Sequence, residues 1–409
     1  MRILIVTHYF PPEVGAPQAR LSGLAKLWAA AGDEVTVLTG MPNHPTGVIP
    51  PAYRGKLRLE ERVDGYRIVR TWVYATPNKG VVKKTLGHLS FMVTSCAVGA
   101  PRVGKVDVVV VSSPTFFSIF SAWLVARVRR AQFVVEVRDL WPAVFTDLGV
   151  ITNRIIVRLL EALELAAYRA ADAVVVVTEG FRDNLLERGV PGSKVHTVRN
   201  GADLERFPAA PGDHSRRRQW LGAGPDEVLV LYIGAHGISH GLPAVVDAAD
   251  ELRGEPVHVA LVGDGAMKDE ISCQVARLAL TNVTLRSSVD PEEVPDVLAA
   301  ADICLVPLRD VPLFRTFVPS KLFEYLAAKK AVIGSVRGET AGILRDAGAF
   351  VVEPEDPTAL ADAIRKLADD PAQRETMGER GRAYVAEHFD RRALADRYRA
   401  LLESVVGGT

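Results

Sequence analysis

Residues 1–38 read MRILIVTHYFPPEVGAPQARLSGLAKLWAAAGDEVTVL, and this opening decides the fold. Ile3–Val6 is a short, continuous apolar run, the pattern of a parallel strand covered on both faces. The loop after it, THYFPPEVGAPQA, carries Pro11, Pro12 and Gly15 and opens a helix over about residues 20–30. Gly32 stops that helix, and Glu34–Leu38 supplies a second strand. Strand, glycine-containing turn, helix and strand form the opening unit of a Rossmann-like fold. The glycine spacing is not Gly-x-Gly-x-x-Gly, so a dinucleotide cofactor is not implied.

The same alternation runs outward along the chain. Asp107–Val111, Phe133–Val137, Ala173–Val177 and Val195–Val198 read as strands, with helices such as Ile155–Ala171 and Gly180–Arg188 between them. Phe207–Asp213, rich in Pro and Gly, reads as a linker. Strands then recur at Val228–Ile233, Val257–Val262, Val283–Leu285, Ile303–Val306, Ala331–Ile333 and Phe350–Val352. Helices are expected at Pro243–Leu252, Met267–Leu280, Glu292–Ala300, Lys321–Ala328 and Thr358–Leu367. The expectation is an α/β protein of two Rossmann-like domains, residues 1–207 and 208–389, facing across a cleft. The tail from Pro371 to Val406 reads as helical throughout, with a helix over about residues 390–409 packing back on the first domain.

Composition narrows the function. The 409 residues suffice for about two to three domains, each with its own core. Formal net charge is zero, so no global field recruits nucleic acid. Cys96, Cys273 and Cys304 are scattered and show no metal-ligand spacing. No Asp-x-Asp motif occurs, so a metal site has no visible ligand set. The scattered cysteines suit a reducing cytoplasm, and with no secretory pattern at the N-terminus and no run of about 18 apolar residues, neither a secretory signal nor a spanning helix is expected.

Chemistry concentrates in residues 306–339, VPLRDVPLFRTFVPSKLFEYLAAKKAVIGSVRGE. Ser320 is placed to cap the helix from Lys321, where its side chain would bond the first-turn N–H groups. Lys321 is a cation at a helix start that prefers an anion, and Glu324 falls one residue too late for a capping box. This is either a phosphate site, built from open N–H groups (Leu322 among them) and a lysine, or a solvated helix with an arbitrary lysine. Gly234, Gly237 and Gly241 follow the strand Val228–Ile233, and Gly263-Asp264-Gly265 follows the next. Each is either a loop that lets backbone approach a ligand or a tight turn. In the first domain Arg138, Asp139 and Trp141 follow a buried strand, as cleft-facing groups or as a locally bonded pair. The loop with His8, Glu13 and Gly15 is the other cleft-facing element, although a lone histidine is more often structural.

Five segments together carry a resemblance: GAHGISHGL (234–242), residues 306–339, VVEVRDLWP (134–142), VRNGAD (198–203) and VVEPEDPTALADAI (351–364). The chain resembles family 4 glycosyltransferases of the GT-B fold, within them the subgroup that adds fucose or N-acetylfucosamine-type sugars in bacterial surface polysaccharide assembly. The resemblance covers nearly the whole chain. It implies a nucleotide-sugar donor, UDP-sugar favoured, a saccharide or lipid-linked saccharide acceptor, a retaining reaction, and neither cofactor nor metal. It places Glu324 on the donor ribose. Thr316 stands where the first Glu of the family's Glu-x7-Glu motif touches the donor sugar. Ala235 and His240 stand where the family carries an Arg and a Lys on the diphosphate, and Lys321 would supply the missing charge. Catalytic roles fall to Lys321, Arg138 and Asp139. Donor contacts fall to Gly15, Gly234, His240, Gly241, Gly263, Thr316, Ser320, Leu322 and Glu324, and acceptor contacts to His8, Glu13 and Trp141.

Lys79–Val98 carries apolar residues at 82, 86, 89, 93 and 97, with Lys83, Lys84 and His88 beside them. It reads either as an interfacial helix meeting a lipid-linked acceptor at the inner membrane face or as a helix covering the first sheet. Two other functions share the architecture: a hydrolysing sugar-nucleotide 2-epimerase, and a non-catalytic nucleotide-sugar-binding partner.

Overall fold

The structure is a computed structural model that describes residues 1–408 except 45, 78–80, 114–115, 148–152 and 208–213. The chain divides into two compact units, Met1–Arg199 with Arg392–Thr409, and Asn200–Arg391. Of the expected linker Phe207–Asp213, only Phe207 is among the described residues.

The first unit contains β1 (Arg2–Val6), β2 (Glu34–Gly40), β3 (Arg58–Val63), β4 (Tyr66–Thr71), β5 (Val108–Ser112), β6 (Gln132–Val137), β7 (Ala173–Val176) and β8 (Val195–Thr197). They form one sheet in the order β3-β4-β2-β1-β5-β6-β7-β8, parallel except where β3 meets β4. Its helices are α1 (Ala16–Ala30), α2 (Val81–Thr94), α3 (Phe116–Arg129), α4 (Ala143–Asp147), α5 (Arg154–Ala170) and α6 (Glu179–Glu187). Valine-rich central strands are buried along their length, as a doubly covered parallel sheet requires.

In the second unit, β9 (Val228–Ile233), β10 (Val257–Val262), β11 (Val283–Arg286), β12 (Ile303–Pro307), β13 (Ala331–Ser335) and β14 (Phe350–Val352) form a sheet in the order β11-β10-β9-β12-β13-β14. All its pairings are parallel. Helices α7 (Ser215–Trp220), α8 (Leu242–Glu251), α9 (Lys268–Arg277), α10 (Val294–Ala300), α11 (Lys321–Ala327), α12 (Gly338–Asp346), α13 (Pro357–Ala368), α14 (Pro371–His388) and α15 (Arg391–Gly407) complete the chain. The last two helices of this unit, α13 and α14, start alike. Asp356 and Asp370 accept from the N–H groups of Ala359 and Gln373, each with proline at the next position.

The order of strands decides where ligands go. Strand order reverses between β9 and β12 in one sheet and between β1 and β5 in the other, and the loops leaving such neighbours diverge into a crevice at their carboxyl ends. The glycine loop after β9 and the long segment after β12 are therefore brought together by topology.

The tail departs from the expected single run. Helix breaks at Phe389-Asp390, where Phe389 is buried with its ring 4.6 Å from that of Phe323. The backbone there pairs with Ala202, as Ala202 N donates to Phe389 O at 3.1 Å and Arg391 N to Ala202 O at 3.0 Å. Beyond the break, α15 packs in the first unit: the Trp28 indole donates to Ala395 O at 3.1 Å, and Arg399 pairs with Asp33 at 2.7 Å.

Candidate functional site

In the second unit the site is built around Tyr232, next to last in β9. The buried Tyr232 ring faces the first residue of α11, and the Lys321 ammonium lies 3.8 Å from its centroid. Lys321 Nζ donates to Tyr232 Oη at 2.5 Å, and Tyr232 Oη donates to Ala235 O at 2.6 Å. Gly234 lies directly beneath the ammonium. A Cβ at Gly234 would sit 2.7 Å from Lys321 Nζ, and its φ of +147° is one that other residues rarely adopt. Burial pulls the Lys321 ammonium down to about 7, against the opposing effect of Glu324.

Two histidines join the same ring. His240 ends a short helical turn, Ile238–His240, with its ring 6.0 Å from that of Tyr232. His236 lies 5.9 Å from it, fully buried, with both ring nitrogens lacking a hydrogen-bond partner among the described residues. Burial first, then the Lys321 charge, lowers His240 to about 3; burial first, then Lys268 and Lys321, lowers His236 to about 4. Both imidazoles are therefore neutral at pH 7, and the charge facing Tyr232 comes from Lys321. His236 lies within the GAHGISHGL segment, and its spacing of four from His240 is the signal sequence reasoning passed over.

The second glycine turn packs against the first. A Cβ at Gly263 would lie 1.8 Å from Gly234 O, and one at Gly265 would lie 2.5 Å from His236 O. His236 N donates to Asp264 O at 2.9 Å, and Met267 N donates back to His236 O at 2.9 Å. Gly263 and Gly265 are glycines because the first loop's backbone rests on them. Gly241, at φ +56°, rests likewise on Leu308, and Arg309 N donates to Ser239 O at 3.0 Å.

The helix start at Ser320 corrects the sequence reading. Ser320 is itself in the right-handed helical region, and its side chain makes no capping bond. Leu322 N donates to Pro319 O and Phe323 N to Ser320 O, both at 3.2 Å, so these first-turn N–H groups are occupied. Leu322 is a buried core residue. What α11 offers is the Lys321 ammonium and, half-buried one turn on, the Glu324 carboxyl. Burial raises the Glu324 pKa, while Arg391 and Arg206 act against that. Thr316 turns its hydroxyl inward, donating to Leu313 O at 2.7 Å.

In the first unit, Glu136 is fully buried and paired with Arg20, whose Nη2 lies 3.0 Å from Glu136 Oε2. Arg20 also donates to Val198 O and Arg199 O, both at 2.9 Å, which ties α1 to the ends of β6 and β8. This bracket was not anticipated. Two residues on, Arg138 has Nε and Nη1 buried without a hydrogen-bond partner among the described residues, and its N–H donates to Ser113 Oγ at 3.1 Å. Burial raises the neighbouring Asp139 carboxyl, with Arg138 acting the other way, and no ion pair joins the two among the described residues. Trp141 is half-buried beside them.

His8 is buried in an aromatic cluster, 4.3 Å from Tyr9, 4.5 Å from His88 and 4.9 Å from Phe91 between ring centroids. Burial holds it well below the usual imidazole range. Glu13 accepts from the N–H groups of Phe10, Asn43 and His44 at 2.9, 2.7 and 2.8 Å, so it braces the loop. Gly15 precedes α1 in an extended conformation, where a Cβ would meet the Gln18 side chain at 2.5 Å. Among the described residues no group of three or more His, Cys, Asp or Glu side chains is arranged to hold a metal ion.

Comparison with known proteins agrees with this architecture. Residues 15–201 match the family model described as glycosyl transferase 4-like domain, and residues 214–384 match that of glycosyl transferases group 1. The chain is 27% identical over 375 residues to the colanic acid biosynthesis glycosyl transferase WcaI of Escherichia coli K12, covering 90% of this chain and 92% of that one. Sucrose-phosphate synthase from Thermosynechococcus elongatus superposes over 100% of both chains with a TM-score of 0.77 at 20% identity. Anabaena HepE in complex with UDP-glucose does so over 99% of this chain and 100% of that one, with a TM-score of 0.75 at 18% identity. Two Rossmann-like units, matched in turn by two glycosyl transferase models, place the chain in family 4 of the glycosyltransferases with the GT-B fold.

Proposed function

We propose that the chain moves a sugar from a nucleotide-diphosphate sugar, a UDP-sugar by preference, to a hydroxyl of a lipid-linked saccharide during cell-surface polysaccharide assembly. The observation that carries this reading is the Lys321 ammonium, held on the Tyr232 ring against Gly234 at a topological switch point. A half-buried cation in a glycine-lined loop is what a leaving diphosphate needs. WcaI, named for colanic acid biosynthesis, supports the polysaccharide context, and HepE, solved with UDP-glucose, supports the uridine base.

In this reading Lys321 holds the diphosphate with His240 as a neutral hydrogen-bond donor, and Glu324 accepts from the ribose hydroxyls. Gly234 and Gly241 let the diphosphate approach the loop. Arg138 and Asp139 serve the transferred sugar and the incoming hydroxyl, with His8 and Trp141 on the acceptor. The bond from the anomeric carbon to the diphosphate oxygen breaks while the acceptor oxygen attacks from the same face. The acceptor proton passes to the departing phosphate oxygen, and configuration is retained. With Thr316 where a carboxylate would stand, this route needs no covalent intermediate on the protein. It calls for no metal, and it places the enzyme in the cytoplasm at the inner membrane face, with α2 meeting the membrane; Lys79 of that segment lies outside the described residues. The epimerase and the silent binding partner are not favoured, because both family models are those of glycosyl transferases.

The test is a thermal-shift panel of UDP, GDP, dTDP and ADP, since a bound nucleotide raises the melting temperature by mass action. UDP is expected to give the largest shift. Transfer and donor affinity undiminished in a Lys321→Ala variant would remove the diphosphate role.

A further inference from the structure

One layer of the first unit carries apolar side chains on its solvent side. Helix α3 packs between α2 and α5. On α5, Ile155 is 79% exposed and Leu159 59%, with Ile156 and Leu163 also exposed. These positions lie one, four and eight residues after Ile155, on one face of a helix. Its inward side carries a polar group among Val157, Leu160 and Leu165, which are half-buried. Buried Tyr168 donates to the buried Glu164 carboxylate at 2.7 Å, and Arg188 pairs with the same carboxylate.

The neighbouring helices also expose apolar side chains. Val82 on α2 is 72% exposed, with Leu86 and Val93 in line after it, and Phe120 on α3 is 51% exposed. Of the face drawn from sequence at 82, 86, 89, 93 and 97, Leu89 is half-buried and the other four are exposed, while Phe91, Thr94 and the half-buried His88 turn inward. Exposed large apolar side chains grouped on neighbouring helices mark an interaction site.

Charge identifies the occupant. Neither α2 nor α3 contains an acidic residue. The exposed charges of the three helices are Lys83, Lys84, Arg127, Arg154, Arg158 and Arg169, whereas Glu161 is half-buried and Glu164 buried. In a chain of zero net charge, one layer combines exposed aliphatic side chains with a surplus of cations. That pairing suits an anionic bilayer: apolar side chains enter the headgroup region while Lys and Arg meet phosphate. No helix among the described residues is long and apolar enough to cross a membrane, which leaves a surface contact.

We propose that α2, α3 and α5 form a single face that lies on an anionic lipid bilayer, with the Ile155–Leu163 stripe of α5 inserted into it. The proposal deepens the reading of a lipid-linked acceptor and rests on it only for why the enzyme would need a membrane.

The test is flotation of the full chain with vesicles of phosphatidylcholine alone or with added phosphatidylglycerol, at low and high salt. Binding is expected on the anionic vesicles only and to weaken with salt. The triple variant Ile155→Ser, Leu159→Ser, Leu163→Ser should lose at least about tenfold in vesicle affinity. Leu159→Trp, which leaves the stripe apolar, should bind like wild type, its fluorescence shifting to the blue on vesicles. The UDP-induced thermal shift of the triple variant should match wild type, so loss of membrane binding and failure of the donor reading show up in different measurements. Wild type that ignores anionic vesicles, or an unshifted Leu159→Trp spectrum on them, would overturn the proposal. So would a concentration-dependent dimer in sedimentation that the triple substitution abolishes, since the stripe would then belong to a second copy.

Discussion

Lys321 gives the sharpest test of the donor site. Its ammonium rests on Tyr232 with Glu324 as the acidic neighbour it feels, and its pKa has fallen to about 7 from the usual lysine value of 10.5. A diphosphate bound beside it would supply the missing counter-charge and restore the cationic form. Nucleotide binding should therefore take up a proton, and more of one as pH rises. With a pKa of about 7, about 0.9 of the unliganded molecules carry neutral lysine at pH 8, and about 0.1 at pH 6. UDP binding should accordingly absorb about 0.9 proton at pH 8. Affinity should fall about tenfold for each pH unit above 7, a change of ~1.4 kcal/mol.

The assay is titration calorimetry of UDP at pH 6, 7 and 8, in paired buffers of different ionisation heat. The difference between buffers counts protons directly. Lys321→Met keeps the aliphatic stem and removes the charge, so its uptake at pH 8 should vanish. His240 and His236, at about 3 and 4, lie too far below pH 8 to imitate the effect. Wild type that binds UDP at pH 8 without absorbing a proton, or Lys321→Met that absorbs as much, would refute the reasoning. The same shift has a consequence for the unliganded fold. A lysine whose folded pKa lies below its unfolded one is opposed in its charged form by folding, so stability should rise from pH 7 toward pH 10.

Three further outcomes follow from packing and charge. Gly263→Ala puts a Cβ 1.8 Å from Gly234 O and should cost at least about 2 kcal/mol in urea unfolding, whereas Gly234→Ala, which crowds the Lys321 ammonium, should show more in UDP affinity. Arg20→Met leaves Glu136 buried without its cation and should cost about 3–5 kcal/mol by the same measurement, with the melting temperature recovering in the double variant Arg20→Met, Glu136→Gln. On acidification, His88 and His236, both near 4 when folded against 6.5 otherwise, bind protons more readily in the unfolded chain, so stability should fall as pH drops from about 6.5 to 4 and then level off for these groups. A melting temperature flat across that range would contradict it.

The central strands were legible because a doubly covered parallel strand has to be a continuous apolar run, and β9, β10 and β14 match their expected bounds residue for residue. The hairpin of β3 and β4 was not read. Arg58–Val63 is a mostly exposed strand at the sheet edge with four charged residues in six, invisible to a search for apolar runs. Its turn was visible, since Asp64-Gly65 takes φ of +49° and +85°, the conformation an Asp-Gly pair favours between antiparallel strands. At the site, the link between Lys321 and the glycine loop came from the resemblance, and the strand order of the sheet supplies its physical reason. The Ser320 cap failed because the preceding turn already occupies the N–H groups it would have bonded. Gly263 has a packing reason that the sequence does not show, because a glycine that admits a neighbouring backbone looks in sequence like one that admits a ligand. The Arg20–Glu136 pair joins residues 116 apart, a distance no local pattern spans.

The anomaly at Lys321 resolves once its ionisation is considered with its place in the fold. A fixed cation at the first residue of a helix opposes the dipole by about 0.3–1 kcal/mol. At about 7, roughly half of the Lys321 population is neutral at pH 7 in the unliganded protein, so the opposition is weakened until an anion arrives. The resemblance that puts Ala235 and His240 where relatives carry cations leaves the loop after β9 without a permanent charge. β12 lies beside β9, so the helix reached from β12 delivers its first side chain to the residues that end β9. The first side chain of α11 therefore stands over the ring and the glycine at the end of β9. A Tyr232→Phe variant separates these contributions, since it keeps the ring under the ammonium and removes the oxygen that accepts from it. If the ring is the main support, UDP affinity should change by less than about tenfold, and the proton uptake at pH 8 should persist. Loss of both would assign the positioning of Lys321 to the hydroxyl.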